Sequence, residues 1–278
     1  MFKTCCSILV LVALFVAPAV AQERDVSFVA AIKGSRYDQP HDGKPELTRY
    51  FFFTEIFLAS GGNASDASLR RVGSEDPPWR FDAQGDVLAF AGGYFSSLEE
   101  LDAAFPEGRY QLDLDSPSGA LSAQPLEFAA IQGQRLPRPV TISLLQDGIG
   151  VAPNDVDPVE ELSVTWSEYE QGRADPNAIV DDLIFVILTD CHGKIVSHSG
   201  RPFAGTPFLT YAIDSYAVPK GSLAPGLPYT LVVEHASVVN SDQSQGVPVF
   251  ASYATVTYLE FRTSGEATND TCPAPEEK

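Results

Sequence analysis

Four histidines, several acidic clusters and four cysteines are the residues of this chain whose types could support chemistry. His41, His192, His198 and His235 make no pair at helical spacing, whereas a zinc site needs three or four ligands. No His-Glu-x-x-His, Gly-x-Ser-x-Gly or phosphate-cradling glycine loop occurs, so no catalytic residue is assigned. Glu234-His235, at the end of an apolar run, reads as a solvated strand edge. The acidic clusters are more specific. In APNDVDPVEE, residues 152–161, Asp155, Asp157, Glu160 and Glu161 offer hard oxygen donors, and Asp181 with Asp182 offers a second pair. Calcium, which takes about six to eight oxygens, is the candidate ion; solvation of the carboxylates is the plain alternative. Beyond that possible calcium no cofactor is expected.

The elements that must position these groups are strands. Short β-rich runs separated by Gly, Pro, Asn and Asp recur from end to end, and helical periodicity is nearly absent. The chain is therefore expected to be all-β, as two tandem antiparallel β-sandwiches. The first is expected over residues 26–131, with strands near 26–32, 50–58, 69–72, 79–81, 87–91, 110–114 and 126–131. The second is expected over 141–263, with strands near 141–145, 161–167, 183–189, 195–198, 210–216, 229–234 and 250–263. Residues 132–140, with Pro137 and Pro139, read as a stiff linker. One short helix is expected in SSLEELDAAFPEG, where Ser97 caps, Glu100 reaches back and Pro106 with Gly108 stops the turn.

Residues 1–21 have the form of a secretory signal peptide: Lys3, an apolar core from Ile8 to Val16, and the ending Ala19-Val20-Ala21. No later stretch reaches the length of a membrane-spanning helix. The net charge of −19 grows by one when Lys3 leaves with the leader, a balance that repels nucleic acid and anionic lipid. A secreted location, periplasmic or extracellular, is the expectation, with an extracellular protein or a polysaccharide as partner. Cys191 and Cys272 remain after cleavage, and two cysteines in an oxidising compartment indicate one bridge. Residues 264–278, rich in Glu, Thr, Asn and Pro, read as a disordered acidic tail.

The densest punctuation lies in SLAPGLPYTLVVEH, residues 222–235. Leu223, Pro225, Gly226 and Tyr229 stand as Leu-x-Pro-Gly-x-x-Tyr, and Tyr229 opens an alternating run. A tyrosine so placed can fix a crossover between two sheets by bonding its hydroxyl to upstream backbone. This pattern resembles the corner before the sixth strand of fibronectin type III domains; LSVTWSEY, with Trp166, resembles that family's second strand and YLEFRT its last. The resemblance covers roughly residues 138–264 and implies an immunoglobulin-like sandwich there. It also implies that the third and last strands run parallel on either side of the sixth, bringing Cys191 and Cys272 to one rim. FPEGRYQLDL, with Pro106, Gly108 and Tyr110, is a looser echo in the first half. The whole resembles exported bacterial proteins of tandem sandwich design, which implies display outside the cell and no defined reaction.

Two surfaces offer recognition. If Ile184, Val186 and Leu188 face the core, then Phe185, Ile187, Val232 and Tyr258 form an apolar stripe on the opposite sheet face, available for burial against the first domain or another protomer, or for a ligand. The stretch from Ala236 to Val247 reads as a long polar loop presenting Asn240 and Asp242. A non-enzymatic secreted binding, adhesion or structural module is the leading reading. A carbohydrate-binding or carbohydrate-active protein, stacking sugars on aromatics such as Tyr50, Phe52, Trp79, Tyr94 and Tyr258, is the alternative.

Overall fold

The computed structural model describes residues 24–41, 43–130, 133, 135–267 and 272; the segment expected to be a signal peptide and most of the expected disordered tail lie outside them. The first half contributes β1 (Val26–Gln39), β2 (Glu46–Leu58), β3 (Ser65–Arg71), β4 (Trp79–Arg80), β5 (Asp82–Gln84), β6 (Val87–Phe95), α1 (Leu98–Ala104), β7 (Gly108–Asp115) and β8 (Leu121–Phe128). The second contributes β9 (Ile142–Gln146), β10 (Ile149–Gly150), β11 (Leu162–Trp166), β12 (Leu183–Asp190), β13 (Ile195–His198), β14 (Leu209–Thr210), β15 (Ser215–Val218), β16 (Pro228–Asp242) and β17 (Val249–Arg262).

Strands of both halves join in one nine-stranded sheet, ordered β13-β12-β16-β17-β1-β2-β6-β5, with β14 beside β12. The junction is the parallel pairing of β1 with β17, which runs from Val29 opposite Val249 to Gln39 opposite Leu259. Two four-stranded sheets, β4-β3-β7-β8 and β10-β9-β11-β15, complete the sandwiches. Alternation along β17 shows how they share the large sheet. Val249, Ala251 and Tyr253 enter the first core with Leu69, Leu112 and Phe128, whereas Leu259 and Phe261 enter the second with Val164, Trp166 and Leu231. Both cores thus lie on one face of the nine-stranded sheet, and Phe250, Ala254 and Val256 point to the other.

In the second half the third, sixth and seventh principal strands, β12, β16 and β17, share a sheet, and the first, second and fifth, β9, β11 and β15, form the other. The outer two of the first set are each antiparallel to β16, and therefore parallel to one another, as the fibronectin type III resemblance implies. Cys191 and Cys272 are disulfide-bonded. Their sequence separation of 81 corresponds to roughly 4 kcal/mol of lost denatured-state entropy in the chain-entropy account. The corner forms as its residues dictate: the Ala224 amide donates to the Tyr229 hydroxyl at 2.7 Å, and Thr263 Oγ1 donates to the Ala224 carbonyl at 2.7 Å. Gly226 has φ 69°, and a Cβ there would lie 2.4 Å from the Ala267 amide. In the first half the Tyr110 hydroxyl donates to the Pro106 carbonyl at 2.6 Å, the same device four residues upstream.

Helix α1 is capped by Ser97, whose hydroxyl accepts from the Glu100 amide at 3.1 Å, while the Glu100 carboxylate accepts from the Ser96 amide at 3.0 Å. Buried Leu101 and Phe105 seat the helix on the first core, with Phe105 stacked on Phe52 at 4.1 Å. Its Asp102 meets the fully buried Lys33 of β1 at 2.8 Å, and the Phe105 carbonyl accepts from the same ammonium at 2.6 Å. Arg135 closes on Asp102 from the inter-sandwich segment, and Tyr253 donates to Glu107 at 2.8 Å. Burial lowers the Lys33 pKa, and the Asp102 partnership opposes that. The 132–140 segment is correspondingly not a free spacer. Pro137 is buried, its carbonyl accepts from Thr255 Oγ1 at 2.6 Å, Leu136 packs on the first core and Val140 sits in the second.

Two outcomes are expected. Tyr110→Phe and Tyr229→Phe each cost about 1–2 kcal/mol in urea unfolding, and the losses add because the corners are separate. Asp102→Ala, which strands the Lys33 ammonium, costs about 3–5 kcal/mol in the same measurement.

Candidate binding groove on the open sheet face

The face of the large sheet opposite the two cores is apolar along much of its width. On β2 the run from Tyr50 to Phe57 is aromatic-rich on both sides. Phe52 and Ile56 enter the first core, while Phe51, Phe53 and Phe57 join the cluster on the open face. Strands apolar on both faces need cover on both. Two excursions of the second half supply it at one end. Residues 171–182 place Ile179 and Val180 there, held by Asp175, whose carboxylate accepts from the Ile179 and Val180 amides at 2.9 and 3.0 Å and from Ser241 Oγ at 2.7 Å. Residues 199–208 bring Phe203 to within 5.7 Å of Phe28 and the Arg201 guanidinium over Phe57 at 4.8 Å.

The other end stays open as a groove of about 450 Å³. Phe51, Phe53, Ile187, Val232, Val256 and Tyr258 form its apolar lining, and Arg36, Tyr94 and Glu234 also line it. Phe51 lies against Gly34, where a Cβ would meet the ring at 2.2 Å, so the absent side chain lets the aromatic lie close to the sheet. The Arg36 guanidinium covers the Tyr258 ring at 3.8 Å and also reaches Asp38 at 2.9 Å; Arg49 covers Tyr94 at 4.3 Å.

Glu234 is the unusual member. Its neighbours in register are Phe185 on β12 and Val256 on β17, and its Oε1 is buried without a hydrogen-bond partner. Burial, reinforced by the charge of Glu55 on the same face, pushes its pKa up to about 7. Glu55 is itself raised by burial, against the pull of Arg201. The neighbouring His235 points the opposite way into the second core, stacked on Tyr169 at 4.3 Å, and burial holds its pKa down to about 3. Glu234-His235 is therefore no solvated edge. Strand β16 continues to Asp242 and lies between β12 and β17, so the pair sits in mid-sheet.

Ile187, Val232 and Tyr258 of the expected stripe line this groove, and Phe185 borders the open-face cluster. The first half does not lie upon the stripe; it continues the sheet edge to edge, so the stripe runs on into Phe51 and Phe53. Asn240 and Asp242 belong to β16 rather than to a long loop. A register shift between Val238 and Asn240 turns both toward β8. There Asn240 Oδ1 accepts from the Glu127 amide at 3.2 Å and Asp242 Oδ1 from Gln124 Nε2 at 2.7 Å. Several carboxylates of the acidic clusters are likewise engaged in structure. Asp157 Oδ1 accepts from the Val159 amide at 3.0 Å, Glu160 lies 3.9 Å from Lys220, and Asp155 is exposed. Asp182, buried and raised to about 6 by that burial, accepts from the Val238 amide at 2.8 Å. Among the described residues no three His, Cys, Asp or Glu side chains gather as a metal cage. Of the aromatics weighed for sugar stacking, Phe52 is core, Tyr50 and Trp79 pack against it, and Tyr94 and Tyr258 line the groove.

The Glu234 titration has a definite sign. The folded pKa of about 7 exceeds the ordinary 4.5, so below about pH 4.5 the carboxyl is neutral in both states and carries no penalty. Between there and pH 7 the unfolded chain releases its proton first, and folded stability falls. Glu234→Gln removes this dependence, so its stability relative to wild type is expected to rise by about 2–3 kcal/mol from pH 4.5 to pH 8 in denaturant titrations.

No family model and no curated protein matches the chain. Among solved structures, the BSP domain of a biofilm associated protein is 14% identical, with 88% of this chain and 30% of that chain covered and a TM-score of 0.22. The FN1-FN3 domains of chicken CNTN1 are 10% identical, with 87% and 67% covered and a TM-score of 0.26. The chain thus spans about 30% of the length of the first. No helix among the described residues is long and apolar enough to cross a membrane. The assignment as an all-β sandwich protein rests on the strand order and the cores.

Proposed function

We propose that this is an exported, non-enzymatic binding module of tandem fibronectin type III-like sandwiches, residues 26–131 and 141–263, that takes a ligand in the groove on its open sheet face. One observation carries the reading: the apolar side chains Phe51, Phe53, Ile187, Val232 and Tyr258 converge on a groove with a carboxyl group lacking a partner at Oε1. Concave apolar sites with a few placed polar groups are the usual form of a ligand pocket. The Cys191–Cys272 disulfide supports an oxidising location outside the cytoplasm. The resemblance of the whole chain to exported bacterial proteins of tandem sandwich design supports display outside the cell, with an extracellular protein or polymer as partner.

A second reading, carbohydrate binding or processing, has its own observation. Glu234 and Glu55 lie on one face, and the charge of Glu55 reaches Glu234. Two carboxyls flanking a scissile bond are what glycoside hydrolysis requires.

Methyl NMR of the full chain against a panel of aromatic fragments and oligosaccharides separates these readings from a structural spacer. Binding is expected to shift Ile187, Val232 and Val256, and Ile187→Asp should abolish those shifts. Tyr94→Ala, at a side chain exposed enough to leave the fold intact, should weaken them. Shifts confined to other surfaces, or none, would remove the groove from consideration.

A further inference from the structure

Within that reading, on which the following rests, the chemistry of the groove narrows its ligand. We propose that the groove binds a small organic cation, an ammonium group on an apolar stem, with the Glu234 carboxylate as its counter-ion and the surrounding rings as its walls.

The charges around Glu234 are unequally satisfied. Arg36 lies over Tyr258 and is paired with Asp38 at 2.9 Å, so the cation in the groove lining is already engaged. Arg49 lies over Tyr94, and Arg201 lies over Phe57 in the reach of Glu55. The ion pairs among the described residues include none to Glu234, and its Oε1 accepts no hydrogen bond. The elements packed against it bring Phe185 and Ile187 from β12 and Val256 and Tyr258 from β17, and across the face Glu55 from β2 adds like charge. Phe185, Ile187 and Val256 have no side-chain donor to offer a carboxylate, the Tyr258 ring is covered by Arg36, and the one carboxylate neighbour repels it. An entering cation is the partner that satisfies both deficits.

Apolar and aromatic walls favour the same ligand. Phe51 and Phe53 stack at 5.6 Å on the open face, and a ring offers its negative face to a cation. The protein uses this contact itself, since Arg36 and Arg49 each sit on a tyrosine of the groove. A sugar needs several polar partners for its hydroxyls; the lining offers Thr189, Thr230, Arg36 and Glu234 among the apolar Ile187, Val232 and Val256, so an oligosaccharide is the competing probe. A groove of about 450 Å³ suits a molecule of small-ligand size.

Cation binding requires the ionised carboxyl, so it must expel a proton below neutrality. The test titrates the full chain at pH 8 with phenylpropylammonium, its neutral alcohol isostere and a neutral oligosaccharide, following the Ile187 and Val256 methyls and the heat of binding. The amine is expected to bind in the groove at least tenfold more tightly than the alcohol. Its affinity should fall about tenfold per pH unit below pH 7, and the observed heat should vary with the ionisation heat of the buffer that takes up the released proton. Glu234→Gln should remove the preference and the pH dependence while alcohol binding persists, which shows that the variant is folded. Equal binding of amine and alcohol in the groove would overturn the cation assignment and leave the groove as a site. Preference for the oligosaccharide would replace it by the sugar reading. Failure of all three probes to move the groove methyls would overturn both the cation assignment and the site.

Discussion

The hydrogen-bond ladder joining β16, β17 and β1 is the constraint on which everything else in this protein depends. Strands β16 and β17 are 15 and 14 residues long, roughly twice what one sandwich uses. The amides and carbonyls along the edge of β17 away from β16 would be left unpaired by a second-half sandwich alone, and buried backbone groups must be paired. The first half satisfies them by laying β1 in parallel along β17. What reads in sequence as two beads on a linker is, in its hydrogen bonding, one sheet with a small sheet at each end.

That geometry explains the polar seam between the cores. Ser35, Thr255 and Thr257 interrupt otherwise apolar strands where neither small sheet reaches. Ser35 and Thr255 share a hydrogen bond at 3.2 Å, and Thr255 donates to Pro137 of the segment crossing above. The ionic group of Lys33, Asp102, Arg135 and Glu107 stands nearby, tying sheet, helix and crossing segment together. A buried ammonium costs several kcal/mol unless paired, so the group specifies one placement of helix α1.

It also explains the open face. With both cores on one side, the reverse side of nine strands depends on loops for cover, and the two available excursions both serve the same end. Glu234 lies at the limit of that cover, within an apolar row and without a donor for Oε1.

Strand positions were legible because alternation and turn residues are local: β12, β13 and β17 lie within a residue or two of where their sequences place them. Tyr229 and Tyr110 were legible for the same reason, since each bonds to backbone only a few residues away. The sequence could assign Phe185, Ile187, Val232 and Tyr258 to one face by parity alone. It could not reveal what faced them, because Phe51 and Phe53 sit in an aromatic run with no polar alternation, and they arrive only through the β1–β17 pairing. Asn240 and Asp242 read as loop because a β-bulge breaks the alternation of β16 between Val238 and Asn240, and Glu234 read as an exposed edge because the strand was ended there. Sequence determined the strands, their faces and the corner devices, which depend on neighbours along the chain. Only tertiary structure decided that two sandwiches share a sheet and that a lone carboxyl lies in an aromatic groove, because pairing between strands more than 200 residues apart leaves no local periodicity to read.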